Sequence, residues 1–331
     1  MEINFTHHQS AHCENGVVSN LFKHNGHNLS EPMVFGIGSG VFFIYLPFVT
    51  VNHAPGFSFR PMPGMIFKKA ASRLNVKIKR QKFSSTKEAQ RVLDEKLKNN
   101  LPVGLQVGVY HLPYFPDEYR FHFNAHNLVV YGKEDNKYLI SDPVMEHVTT
   151  LTEEELERVR FAKGVMAPKG HMYYPTNFPT TLDLPQAIKK GIKQTCSHML
   201  APVPIVGVKG IRYVSKLIRK WPEKKGTKVT NHYLGQIVRM QEEIGTGGGG
   251  FRFIYAAFLQ EVAGVMGNPV FTDLSKEMTN IGDLWRDFAI DASRLYKNRS
   301  KETDGYNKIA DKLSHISTLE EAFFKKLRKL V

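Results

Sequence analysis

Cysteine is nearly missing from this chain: Cys13 and Cys196 are the only two in 331 residues, and they lie far apart. So sparse a set argues against a disulfide framework and points to a reducing cytoplasm. Long apolar runs are missing too. The longest, 41–51, is interrupted by Pro47 and Thr50 and falls well short of the roughly 18 residues that mark a spanning helix. No membrane segment is therefore expected. The opening MEINFTHHQS has neither the basic nor the apolar region of a signal peptide. Acid is in deficit, with 31 Asp and Glu against 45 Lys and Arg, a net charge of +14. That excess favours an acidic partner, and nucleic acid, anionic lipid or an acidic carrier protein would each answer. The cations, however, fall in scattered short groups such as 77–80 and 325–329, with neither zinc-finger spacing nor an aromatic–basic pattern. Nucleic acid is thereby disfavoured.

A hydrophobic content of 42% with 23% charge describes a globular chain, and its length suits two domains. Residues 1–150 read as mixed α and β. A helix is expected over 14–24, with Val17, Val18, Leu21 and Phe22 on one face, and a short one starts at Ser30-Glu31-Pro32. Strands are expected at 41–46, 75–83, 103–110, 121–132 and 138–141, and further helices at 64–73 and 86–99. The turn 133–137 makes a hairpin of the last two strands. Thr152 and Glu155 form a capping box for a helix to about 160. A stretch rich in proline and glycine, 168–185, reads as a linker, and helical periodicity dominates beyond it, broken chiefly by Gly245–Gly250. The expectation is an α+β fold, with a first domain over 1–150 and a mainly α-helical second domain over 151–331.

Three residues carry chemistry. Cys13 stands just before an apolar-periodic helix, where the first-turn N–H groups favour a thiolate and can donate to an oxyanion. A buried small residue is the competing reading. His126 heads a hydrophobic strand, and Asp142 ends the strand across the hairpin, so the two fall together at its open end. One imidazole nitrogen can take the thiol proton while the carboxylate orients the other.

The order helix-cysteine, strand-histidine, strand-Asp-Pro resembles the compact papain-like fold of bacteriocin-processing cysteine peptidases. More specifically, residues 11–16 (AHCENG) and 29–40 (LSEPMVFGIGSG) resemble the N-terminal domain of the butirosin biosynthesis protein H family. Residues 242–248 (EEIGTGG) and 251–259 (FRFIYAAFL) resemble the helical domain that usually follows it. The resemblance implies a papain-like cysteine-peptidase-type domain that acts as an acyltransferase. Cys13 would accept an acyl or aminoacyl group from the phosphopantetheine arm of an acyl carrier protein. His126 would deprotonate Cys13 and later the amine or hydroxyl of a small-molecule acceptor, Asp142 would orient it, and the helical domain would shape the acceptor site. No other cofactor is expected, and secondary-metabolite biosynthesis is the expected setting. Position 7 departs from the papain pattern: a glutamine often stands six residues before the cysteine, but His7 is there, with Gln9 nearby. The oxyanion side chain is thus unassigned. The alternatives are a peptidase or amidase using the same triad on water, and a catalytically silent binding module.

Other features carry less. Gly36–Gly40 lacks the lysine of a phosphate loop and reads as a tight turn. Gly245–Gly250 could wrap a phosphate or pantetheine arm with Arg252 as counter-charge, or be a flexible turn. The run from His7 to Cys13 holds four potential ligands, but no metal is expected. Cys196 sits in a helical stretch and reads as core.

Overall fold

The computed structural model describes residues 2–297, 299 and 304–331. In chain order the first elements are α1 (Cys13–His24), α2 (Glu31–Ile37), β1 (Ile44–Val51), β2 (Ala54–Ser58), α3 (Met65–Arg73), β3 (Lys77–Gln81), α4 (Thr86–Lys98) and β4 (Val103–Val107). Then come β5 (His126–Glu134), β6 (Lys137–Ser141), β7 (Thr149–Thr152), α5 (Glu153–Arg160) and β8 (Met172–Asn177). The long helices close the chain: α6 (Leu184–Met199), α7 (Gly207–Lys225), α8 (Thr227–Val238), α9 (Arg252–Met266), α10 (Val270–Tyr296) and α11 (Gly305–Arg328).

The chain forms two compact units, one of residues 1–34 with 63–182, the other of 35–62 with 183–331. Sequence periodicity alone drew the division differently, at 150, and two features explain the difference. First, the expected linker contains β8, which lies between β3 and β4 in the sheet and so belongs with the residues before it. Met172, Tyr173 and Tyr174 are strand-forming residues, but the prolines and glycines around them mask the pattern. Second, residues 35–62 carry Phe43 and Phe59 into the aromatic core of the other unit. There Phe59 meets Trp285 edge-on at 5.3 Å, and Trp285 meets Phe288 at 5.9 Å.

The first unit is built on a six-stranded antiparallel sheet of order β3-β8-β4-β5-β6-β7. Strand periodicity sorts its side chains. Val103, Leu105, Leu128, Val130, Ile140 and Met172 join Ala89, Leu93 and Leu97 of α4 and Leu156 of α5 in one core. Each fully buried large apolar side chain there contributes about 1.5–3 kcal/mol, an upper estimate. Asn127, Val129 and Tyr173 alternate to the opposite face. The helices that cover the core are capped as expected: Ser85 accepts from Glu88 N–H, and Thr152 and Glu155 make the reciprocal capping box.

The second unit holds the β1–β2 hairpin and the helices α6 to α11. No helix among the described residues is long and apolar enough to cross a membrane. Its centre contains a buried ion pair, with Arg252 Nε and Nη2 donating to Glu320 at 2.8 and 3.0 Å and Trp285 Nε1 donating to the same carboxylate at 2.7 Å. Arg252 is therefore committed to Glu320, which corrects its reading as a counter-charge for a phosphate. The glycine run before it is also wound on protein partners. Gly249 N–H donates to Glu242 and Gly248 N–H to Thr246, with φ positive at each glycine from 247 to 250.

Candidate active site

The approach to Cys13 is held by hydrogen bonds from three directions. Both oxygens of the Glu31 carboxylate accept from the chain, one from Ala11 N–H at 2.9 Å and one from His12 N–H at 2.7 Å. Burial raises the Glu31 pKa, opposed by those two N–H donors. His12 is the N-cap of α1, its Nδ1 accepting from Asn15 N–H at 3.4 Å. Ser10 N–H donates to the Pro143 carbonyl at 2.6 Å, tying the segment to the loop after β6. Gly16 makes this approach possible, since a Cβ there would lie 2.6 Å from both Pro143 Cβ and Ser10 Cβ. Cys13 thus begins α1 at the end of the helix that favours negative charge. It retains 8% exposure, whereas Cys196 has none.

His126 and Asp142 meet at the open end of the β5–β6 hairpin. The ladder pairs Glu134 with Lys137 beside the turn and Val129 with Ser141 farther along. A bulge between Val130 and Gly132 inserts one residue on β5 and sets the phase in which His126 reaches the carboxylate. His126 Nε2 donates to Asp142 Oδ2 at 2.6 Å, and both residues are buried. Tyr114 hydroxyl donates to the same oxygen at 2.9 Å, and Val144 N–H donates to Oδ1 at 3.2 Å. The Phe115 ring stands edge-on to the imidazole at 5.3 Å. With Nε2 committed to Asp142, Nδ1 is the ring nitrogen left for Cys13, whose sulfur lies near enough to favour the charged imidazole. Burial works against a charged imidazole here. The negative charges of Asp142 and Cys13 and their hydrogen bonds outweigh it, and the His126 pKa is raised. At neutral pH that favours an imidazolium beside the sulfur. Cys196 has the opposite setting, since burial pushes its thiol up to about 12.

All three residues singled out by their sequence positions are therefore brought together, within one unit. The structure adds two that sequence reasoning missed. Asn127, next to His126, directs Nδ2 at Cys13 Sγ from 3.7 Å, and Tyr173 hydroxyl donates to its Oδ1 at 2.8 Å. Asn127 was visible only as an unremarked neighbour of His126, and Tyr173 lay in the stretch read as linker. His7 and Glu14 hold neighbouring segments together. His7 bonds Ser141 Oγ at 2.8 Å and the Met145 carbonyl at 3.1 Å. Glu14 caps α3, accepting from Gly64 N–H and Phe67 N–H at 3.0 and 3.1 Å. Among the described residues, no three His, Cys, Asp or Glu side chains form a group that could hold a metal ion.

Residues 12–143 match butirosin biosynthesis protein H, N-terminal, and residues 154–327 match a domain of unknown function, DUF4872. The chain belongs to the DUF4872 family, and its first part matches the butirosin biosynthesis protein H N-terminal domain. The first match spans α1 to the end of the His126–Asp142 hairpin. The matched region is α+β: Cys13 heads α1, which packs on the antiparallel sheet, and His126 begins β5. A crystal structure from Bacillus anthracis described as a candidate C39-like peptidase is similar at 14% identity and a TM-score of 0.37, over 54% of this chain and 100% of that one. No curated protein matches the chain.

Proposed function

We propose that this chain is an acyltransferase of antibiotic or other secondary-metabolite biosynthesis, moving an acyl or aminoacyl group from a carrier-protein thioester through Cys13 to an amine or hydroxyl. The observation that carries the reading is Cys13 at the head of α1, 3.7 Å from the Asn127 amide, with the neighbouring His126 bonded to Asp142 at 2.6 Å. The Cys13 thiolate attacks the donor's carbonyl carbon, and the π electrons move to oxygen. Collapse breaks the donor's C–S bond, and the departing thiolate takes the proton of the His126 imidazolium. His126, now neutral, accepts a proton from the acceptor as its nitrogen or oxygen attacks the Cys13 thioester. Collapse of the second oxyanion returns Cys13 as thiolate beside a protonated His126, so protons and electrons balance. Asp142 holds the ring in position and stabilises its charge. The net charge of +14 supports encounter with an acidic carrier protein bearing a phosphopantetheine arm, and a reactive thiol suits a reducing cytoplasm.

Intact-mass analysis after mixing the protein with an acetylated acyl carrier protein tests this directly. An acetyl adduct on Cys13, discharged faster when a primary amine is added, is expected. Release of free acid at a rate indifferent to the amine would make the chain a hydrolase instead. A Cys13 that takes up no acyl group from any thioester would support the silent binding module.

A further inference from the structure

Position 7, where papain-like enzymes often carry a glutamine, is a histidine already bonded to Ser141 and Met145, and Gln9 is exposed. The side-chain donor for the oxyanion must come from elsewhere. We propose that Asn127 supplies it and that Tyr173 is the residue that positions Asn127. This rests on Cys13 acting as the acyl acceptor.

The amide is buried, and its hydrogen bonds fix which way it points. Oδ1 accepts from Tyr173 hydroxyl at 2.8 Å, while Nδ2 donates to the Ala125 carbonyl at 3.1 Å and approaches Cys13 Sγ at 3.7 Å. Were the amide turned over, its nitrogen would face a hydroxyl and its oxygen would face both the sulfur and a carbonyl. Burial, together with the nearby Glu14 and Cys13 charges, raises the Tyr173 pKa well above the usual phenol range. Tyr173 therefore remains a donor throughout the working pH. The Tyr173 ring also closes over Gly104, where a Cβ would come within 2.5 Å of it, so the phenol has little freedom to move. A donor at this distance from sulfur is placed for an oxygen on the carbon that the sulfur attacks. When a carbonyl carbon bonds to Sγ, its oxygen lies beyond the sulfur, and the useful donors sit about 2.7–3.1 Å from where that oxygen develops charge. Asn127 Nδ2 and the N-terminal turn of α1 flank that position from the sheet side and the helix side. Sequence neighbours 126 and 127 would thus divide the labour, the imidazole handling the proton and the amide the oxygen.

The same amide could instead serve only to stabilise the thiolate, and two reactions of Cys13 tell these roles apart. Alkylation by iodoacetamide needs the thiolate but forms no oxyanion; acylation by p-nitrophenyl acetate needs both. Asn127→Ala is expected to slow the acylation burst by about 10²–10³-fold while changing alkylation by no more than about threefold. Tyr173→Phe, which keeps the ring and removes only the hydroxyl, is expected to slow acylation about tenfold with alkylation again unchanged. Both rates would be measured on variants with wild-type thermal unfolding, and Tyr173→Phe stands alone should Asn127→Ala not fold. Acylation unchanged in the folded variants, or acylation and alkylation falling in parallel, overturns the assignment. An acylation burst that persists in Cys13→Ala would instead overturn the Cys13 reading on which it rests.

Discussion

The two cysteines of this chain stand near the starts and ends of helices in different units and meet opposite surroundings. Cys13 begins α1, keeps 8% exposure, and touches His126 and Asn127. Cys196 lies in the last turn of α6 with no exposure, and burial pushes its thiol up to about 12. Burial alone raises a thiol; it takes a partner of opposite charge and N–H donors to hold a thiolate. The same contrast holds for the charged groups. In the second unit Arg252 donates to Glu320 and to the Gly250 carbonyl, and Trp285 donates to the same carboxylate. In the first, the His126–Asp142 pair leaves one imidazole nitrogen on the side of the Cys13 sulfur.

The sharpest way to break that comparison is to remove each thiol in turn. Cys13→Ala is expected to lower acyl transfer by about 10⁴-fold or more, while Cys196→Ala leaves it unchanged, as measured by carrier-thioester turnover. Comparable losses in both variants would erase the distinction. Asp142→Asn keeps the shape of the site but removes the charge that holds His126, and should cost about 10³–10⁴-fold in transfer. It also reverses a pKa shift. The raised His126 pKa keeps the ring protonated above the ordinary histidine range, and the proton is lost as pH climbs through the raised value. In Asp142→Asn that loss moves to lower pH, which imidazole NMR would follow.

On the other side of the comparison, Glu320→Ala strands a buried guanidinium and an indole N–H, and should destabilise the fold by about 3–5 kcal/mol in chemical unfolding. A near-neutral effect would mean the pair is not needed to complete the second unit. Labelling gives a smaller but direct contrast: at pH 7 Cys13 should react with iodoacetamide at least about a hundredfold faster than Cys196. The Cys196 rate should keep rising as pH approaches 12, after the Cys13 rate has levelled. Smallest of all, Tyr114→Phe removes one donor from Asp142 and should slow transfer about tenfold.

Much of this was legible in local residue patterns. Ser85, and Thr152 with Glu155, mark helix starts because capping depends on a few residues close in sequence. The helical periodicity beyond the 168–185 stretch marks the helices α6 to α11 for the same local reason. The strand at 41–46 is displaced to Ile44–Val51, where pairing with β2 outweighs the apolar run itself. The positions of Cys13 at a helix start and of His126 and Asp142 at a hairpin's open end were readable because both are short-range features.

The residue pattern by itself determined that a cysteine would head a helix and that a histidine and an aspartate would share the open end of one hairpin. Only the tertiary structure decided that β8 inserts between β3 and β4, and so brings Tyr173 to Asn127 and Asn127 to the sulfur. Strand order within a sheet depends on pairings between residues more than sixty positions apart, such as Gly104 with Tyr173, and no local periodicity encodes them.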